Sequence, residues 1–285
     1  MGIFNLGSVN VDHFYDVPHL PAAGETLAAN GYATGLGGKG ANQSVAAALA
    51  GATVVHIGCI GPDSDPLLKM LRSFGVDCTH IAQVETPTAH AIINIDPHGE
   101  NAIVIFAGAN EKQSLTRLKT ALSAAVAGDI LLLQNETNLT VEAAKIAQIR
   151  DMRVIYSAAP FDADAVKRIL PHIDMLVMNE GEAAQLEFAL GQIALPERLI
   201  THGAKGAVWH GQNGQTHEQP AFSVTPVDTT GAGDCFIGNL AAGLDQGLKI
   251  ADAMRRAAAA SAIQVTRKGT ADAMPSAGET DGFLS

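Results

Sequence analysis

From residue 129 onward the chain alternates short apolar runs with amphipathic segments, and this alternation leaves few architectures open. The runs at 129–133, 153–156, 174–178 and 198–201 read as buried strands, and 141–149, 163–170 and 181–190 carry apolar residues at helical spacing. Strands separated by helices pair in parallel and are covered on both faces, which is why they are apolar throughout. Earlier in the chain a strand is expected over 2–11, a small-residue helix over 41–50 stopped by Gly51, a strand over 53–60 and a helix over 66–74 ended by Gly75. Segments 207–210 and 215–222 read as a hairpin, and helices over 233–244 and 250–265 complete the pattern. Two stretches break the rule, near 10–36 and 86–108. The first holds a weak strand pattern over 26–32, the second two strands, 88–95 and 102–106, around a turn at 96–99, and together they suggest a small separate sheet.

Composition excludes several partners. The 285 residues carry a net charge of −11, against the basic surface that a nucleic acid or an anionic membrane requires. The longest apolar runs, about ten residues, fall short of the ~20 that a membrane span needs. Three cysteines without a Cys-x-x-Cys pair argue for a reducing compartment, and the first strand starts without a basic leader, so a cytoplasmic location is expected. The ten histidines form no His-Glu-x-x-His pattern and no close cluster with cysteine, so no zinc site is expected.

The most informative stretch runs from Val227 to Phe236 and reads as a strand end, a small-residue turn and the start of a long helix. Glycines at Gly231 and Gly233 let backbone amides approach a ligand, and a helix N-terminus favours an anion there. Asp234 follows in the first helical turn. Alone it would merely complement the helix dipole; beside an anion cradle it suits removal of a proton from a hydroxyl while a phosphoryl group is held in line. A second cluster, Gly35 to Gly40, formally fits Gly-x-Gly-x-x-Gly. It does not close the first strand–turn–helix, and the expected acidic residue after the next strand is missing, so a dinucleotide site is rejected. A Walker A loop fails too, because Ala33 stands where its first glycine belongs and Gly40 follows Lys39. The run Gly37-Gly38-Lys39-Gly40-Ala41-Asn42-Gln43 instead suits a polyhydroxy ligand, since Asn42 both donates to and accepts from hydroxyls.

Both stretches closely resemble signature motifs of the ribokinase/PfkB carbohydrate kinases, the first their anion hole and catalytic base, the second their sugar site. Asn179-Glu180-Gly181-Glu182 and Val265-Thr266-Arg267-Lys268-Gly269 also match, so the resemblance covers essentially the whole chain, most closely to the ribokinase type. It implies a single domain over 1–285, with a three-layer αβα sandwich around a mostly parallel sheet and a β lid formed by the insertions at about 10–36 and 86–108. It implies transfer of the γ-phosphoryl group of ATP, with Mg2+, to a primary hydroxyl of a small sugar, D-ribose to ribose 5-phosphate in the leading reading. Asp234 would be the base, and the amides of Gly231, Ala232 and Gly233 the anion hole. Asn10, Asp12, Gly38, Lys39, Asn42 and Glu136 would hold the sugar; Asn179, Glu182, Thr201 and Gly203 would serve the nucleotide and Mg2+. Asp228, with backbone oxygens near Thr230, Gln264, Arg267 and Gly269, would bind K+. A homodimer through the lid is implied as well.

The chain departs from the family pattern in places. Tyr156-Ser157-Ala158-Ala159-Pro160 replaces Asn-Pro-Ala-Pro, the segment between Glu182 and Thr201 is short, and Ala273 stands where a hydroxyl is common near the cation. These changes leave the sugar open, so fructose, another ketose or a nucleoside are alternatives to ribose. A catalytically silent sugar-binding protein is the alternative from another class, and the intact Gly231 to Asp234 motif argues against it.

Overall fold

The computed structural model describes residues 1–62, 64–191, 193 and 195–285. In chain order the first half runs β1 (Ile3–Leu6), β2 (Asn10–Asp16), β3 (Gly31–Gly37), α1 (Lys39–Leu49), β4 (Val54–Ile60), α2 (Asp65–Ser73), β5 (Asp77–Gln83), β6 (Ala89–Ile95), β7 (Asn101–Phe106) and α3 (Leu115–Ala121). The second half runs β8 (Ile130–Leu133), α4 (Thr140–Ile149), β9 (Arg153–Ser157), α5 (Ala163–Ile169), β10 (Met175–Asn179), α6 (Glu180–Leu190), β11 (Glu197–Thr201), β12 (Ala207–His210), β13 (Thr216–Gln219), α7 (Ala232–Asp245), α8 (Ile250–Gln264) and α9 (Ala277–Leu284).

A nine-stranded sheet has the order β13-β12-β11-β10-β9-β8-β1-β4-β5. It is parallel from β5 to β11, and β12 and β13 add an antiparallel edge. Successive side chains point to opposite faces, and β8 shows the consequence. Ile130 and Leu132 enter one buried cluster with Val45, Leu71, Leu240 and Met254 of α1, α2, α7 and α8. Leu131 and Leu133 enter the other with Leu118, Ala144, Val166 and Leu186 of α3 to α6. Helices on both faces make this the three-layer sandwich expected. β2, β3, β6 and β7 form a separate sheet of order β3-β2-β6-β7.

The order reverses at β1 and β8. From β1 the chain adds β4 and β5 on one side, and from β8 it adds β9, β10 and β11 on the other. A crevice opens outside the carboxyl ends of strands at such a point, so the loops after Leu6 and Leu133 set the site.

Several expected elements differ. The strand over 2–11 is two strands, because Gly7 to Val9 leave the sheet at a point where an added Cβ on Gly7 would sit 2.5 Å from the Gly40 Cα. The strand expected over 26–32 is β3, shifted into the glycine cluster. An added Cβ on Gly31 would come within 2.7 Å of an Asp16 oxygen, and one on Gly37 within 2.1 Å of the Asp12 carboxylate. No strand precedes α7: residues 220–226 are irregular, and Val227 and Asp228 donate their amides to the Val265 carbonyl at 2.7 and 3.2 Å. β5, α3 and α9 have no counterpart in the sequence reading. Among the described residues, no helix is long and apolar enough to cross a membrane.

The two helices nearest the crevice, α1 and α7, pack at close range. A Cβ on Gly238 would lie 2.5 Å from both the Gln43 carbonyl oxygen and the Ala46 Cβ. Helix propensity favours Gly238→Ala by about 1 kcal/mol, whereas overpacking costs about 1–3 kcal/mol. We expect a lower thermal midpoint, by about 2–4 °C per kcal/mol of destabilisation. A raised midpoint in calorimetry would contradict the close packing.

Candidate active site

The crevice is lined by Lys39 from α1, Ser157 and Ala159 after β9, Val177, Met178 and Asn179 of β10, and Thr201 of β11. Glu182, Thr229, Gly231, Ala232, Gly233, Asp234 and Ile237 complete the lining. Most of these residues end a parallel strand or begin a helix, which is where unpaired backbone groups are available. The expected anion hole, base, Lys39 and most of the nucleotide-side residues therefore share one cleft. Gly203, at φ +54°, is not in the lining.

At the head of α7, Gly231 takes φ +79°, a left-handed conformation that favours glycine. The Ala232 amide donates to the Thr229 carbonyl at 3.2 Å, while the Gly231 and Gly233 amides have no acceptor among the described residues. Two of the three expected amides are thus free to bind an anion. An added Cβ on Gly233 would meet nothing within 4 Å, so this face of the helix start opens into the cleft.

Asp234 is buried at 9 % exposure. Its Oδ2 accepts from Asn42 Nδ2 at 3.3 Å and its Oδ1 from Gln43 Nε2 at 3.0 Å. Burial pushes its pKa upward, with the Glu136 charge adding to the shift, and Lys39 and the two amide donors pull the other way. Lys39 keeps a raised pKa. Burial would lower it, but Asp234, Glu136, Glu182 and Asp12 together outweigh that.

The expected sugar-binding groups converge beside this base. Glu136 Oε2 accepts from the Lys39 amide at 3.0 Å and from Ser8 Oγ at 2.5 Å. Asn10 Oδ1 accepts from Asn110 Nδ2 at 2.9 Å, and Asn110 Oδ1 in turn accepts from the Val9 amide at 3.0 Å. Gly38, at φ +92°, turns the chain against Ser8, where an added Cβ would lie 2.9 Å from the Ser8 carbonyl oxygen. Asn42 Oδ1 is buried without a partner, an acceptor ready for a ligand hydroxyl. Asp12 is pushed up to about 6, by burial first and then by the Glu136 and Asp234 charges, with Lys39 opposing.

Behind the base runs a buried chain of hydrogen bonds. Gln134 Nε2 donates to Gln43 Oε1 at 2.7 Å and to Asn5 Oδ1 at 3.0 Å. Asn5 Nδ2 donates to Ser44 Oγ at 2.9 Å, and Ser44 Oγ lies 2.8 Å from His56 Nδ1. His56 Nε2 lies 3.2 Å from the Gly7 carbonyl, and burial brings the ring's pKa down to about 4. Ser8, Gln43, Asn110 and Gln134 have no role in the sequence reading. Gln43 directly follows Asn42, and Ser8 sits among the polar residues that leave β1, so position offered a signal for these two.

The nucleotide-side pair has a structural duty as well. Asn179 Oδ1 accepts from the Glu182 amide, and Glu182 Oε2 from the Asn179 amide, each at 2.8 Å, a reciprocal cap on α6. At the expected cation loops, Asp228 Oδ1 accepts from the Thr230 amide at 2.9 Å and Oδ2 from the Gly269 amide at 3.1 Å. Gln264 Nε2 donates to the carbonyls of Thr230 at 2.8 Å and Gly269 at 3.2 Å. The Arg267 side chain turns away to Glu279 of α9. No cluster of three or more acidic, histidine or cysteine side chains suited to a metal occurs among the described residues.

The chain is similar to known proteins along nearly its whole length. The sequence profile of a family described as pfkB family carbohydrate kinase matches residues 3–277. A ribokinase of Haemophilus influenzae is 38% identical over 298 residues, spanning 98% of this chain and 97% of its own. The structure of a ribokinase from Cryptococcus neoformans in complex with ADP superposes with a TM-score of 0.88 at 30% identity, covering 99% of each chain. That of Arabidopsis thaliana ribokinase, complexed with ribose and ATP, gives 0.87 at 27% identity, covering 100% of this chain and 98% of its own.

The Asp12 shift fixes a sign. A carboxyl whose folded pKa is raised from 3.8 to about 6 binds a proton more tightly folded than unfolded. Its contribution therefore favours the folded state at low pH and is lost as pH rises from about 4 to 6. Asp12→Asn should remove this component from the pH dependence of unfolding in urea. An unchanged dependence would show Asp12 to titrate as an ordinary surface carboxylate.

Proposed function

The chain belongs to the pfkB family of carbohydrate kinases, and we propose that it transfers the γ-phosphoryl group of ATP to the primary hydroxyl of D-ribose. The observation that carries this reading is the Asp234 carboxylate, buried and held by two amide donors, in the same first turn of α7 as the free Gly231 and Gly233 amides. Asp234 takes the hydroxyl proton as the sugar oxygen bonds to the γ-phosphorus. The bond from that phosphorus to the bridging oxygen breaks, and ADP leaves. The two amides and Lys39 stabilise charge on the transferring group.

Sugar specificity rests on acceptors. Asp12, Glu136, Asn10 and the unpartnered Asn42 Oδ1 present oxygens to a polyhydroxy ligand, and a carboxylate can accept two hydroxyls at once. Asn179, Glu182 and Thr201, which line the cleft, serve the nucleotide side, and Gly203 stands outside that lining. When bound, Mg2+ would supply charge that neutralises the ATP phosphates, and one carboxylate plus substrate phosphates is a usual setting for it. Glu182 is the carboxylate that would hold it, since capping engages only its Oε2. The K+ implied by the resemblance would need the Thr230 and Gly269 carbonyls, and the Gln264 amide already stands against both. K+ has no part in these steps.

Residues 1–285 act as one kinase domain, with β2, β3, β6 and β7 as the lid. The edge strand β7 exposes Ile103, Val104, Ile105 and Phe106 at 45–66 %. An apolar edge of this kind favours pairing with another chain, which supports a homodimer through the lid. A cytoplasmic setting suits Cys59, Cys78 and Cys235, all buried free thiols. Val104→Lys should convert a dimer to a monomer in analytical ultracentrifugation; a monomeric parent would rule the lid dimer out.

ADP release with ATP, Mg2+ and a panel of ribose, deoxyribose, fructose, xylulose and adenosine tests the reaction. We expect ribose to be the best acceptor and Asp234→Asn to lower kcat by about 10²–10⁴ while ribose still binds, the usual weight of a general base. Full turnover by Asp234→Asn would remove the base from its role. Turnover on another acceptor alone would keep the chemistry and move the specificity.

A further inference from the structure

In the loops that the family resemblance assigns to a monovalent cation, we propose that the side-chain amide of Gln264 takes the cation's place, so that this kinase works without K+ activation. The inference rests on the ribokinase-type reading above for what those loops do, and on this chain's own geometry for how they are held.

Gln264 ends α8, and its side chain is fully buried. A primary amide has two N–H donors, and both are used here, one on the Thr230 carbonyl at 2.8 Å and one on the Gly269 carbonyl at 3.2 Å. These are two of the backbone oxygens that a cation would draw together. The remaining ties between the loops are also made by protein groups. Asp228 accepts from the Thr230 and Gly269 amides, and the Val265 carbonyl accepts from the Val227 and Asp228 amides. The segment leading to the Gly231 turn is therefore fastened to the end of α8 by hydrogen bonds between protein groups.

The orientation of the amide follows from its partners. Carbonyl oxygens only accept, so the nitrogen must face them unless a cation lies between. With the nitrogen in place, Oε1 points away and has no partner. A K+ shared by Thr230 and Gly269 would have to displace a buried side chain from that position, and the site does not fit one. The amide supplies the contacts but no net charge. Charge near the anion hole is then left to Lys39, which lines the same cleft.

Two substitutions separate this from a merely structural glutamine. Gln264→Ala removes both donors and opens space for a cation. Gln264→Glu keeps the volume but points carboxylate oxygens at carbonyl oxygens, an arrangement that only a cation or a proton relieves. The full chain and both variants are assayed with ribose, ATP and Mg2+ in a tetramethylammonium buffer, in Na+ and in K+. Thermal unfolding is followed in the same three buffers.

We expect the parent protein to show the same turnover and midpoint in all three. Each variant should lose about 5- to 100-fold in turnover without K+, the scale of a lost buried hydrogen-bond partner, and recover activity and midpoint when K+ is added. A parent protein that K+, but not Na+, activates or stabilises would overturn the proposal, as would variants indifferent to K+. If no sugar is turned over in any buffer, the kinase reading fails, and the midpoints of the three proteins still decide the role of Gln264.

Discussion

The structure around the cleft depends on how one buried carboxylate is compensated. Asp234 lies in the first turn of α7, largely buried at the edge of the cleft, where an unpaired charge would be expensive. Its two oxygens are answered by Asn42 and Gln43, and Lys39 adds a charge of opposite sign. All three partners come from the first turns of α1, some 190 positions earlier in the chain. The close approach of α1 and α7 at Gly238 is what brings them together.

The compensation does not stop at the first partners. Because Asp234 only accepts, Gln43 must present its N–H groups to it, and so its oxygen faces Gln134. Gln134 then donates onward to Asn5, Asn5 to Ser44, and Ser44 to a neutral His56. Each amide has its orientation fixed by its neighbour, and among the described residues the one oxygen of this hydrogen-bond chain left without a partner is Gln134 Oε1. This chain crosses between β1 and β8, the point where the sheet order reverses. The feature of the fold that opens the crevice thus also carries the polar groups that hold the base beneath it.

Much of this was legible in the sequence, for physical reasons that are local. The alternation of 129–201 gave the parallel sheet because buried strands and amphipathic helices differ in period. The Gly231 to Asp234 and Gly37 to Asn42 stretches were legible because glycines at a helix start leave their mark within a few residues. β5 was not legible: Asp77, Thr79, His80 and Gln83 give an edge strand little apolar alternation. β3 was misplaced since its glycines are there to clear the Asp12 and Asp16 carboxylates, a constraint set by a neighbouring strand. α9 did leave a signal, the Ser276 and Glu279 capping box, that an apolar pattern alone passes over. Ser8, Gln43 and Gln134 gain their roles from partners about 90 or more positions away, and no local pattern encodes that.

The central claim is that Asp234 and the amides at the head of α7 direct a phosphoryl group onto a primary sugar hydroxyl. The most direct test is phosphorus NMR of the product formed from ATP and ribose, without prior derivatisation. The account predicts a phosphomonoester signal split by the two protons of a CH2 group, growing in step with ADP. A signal split by a single proton, or inorganic phosphate as the sole product beside ADP, would contradict it.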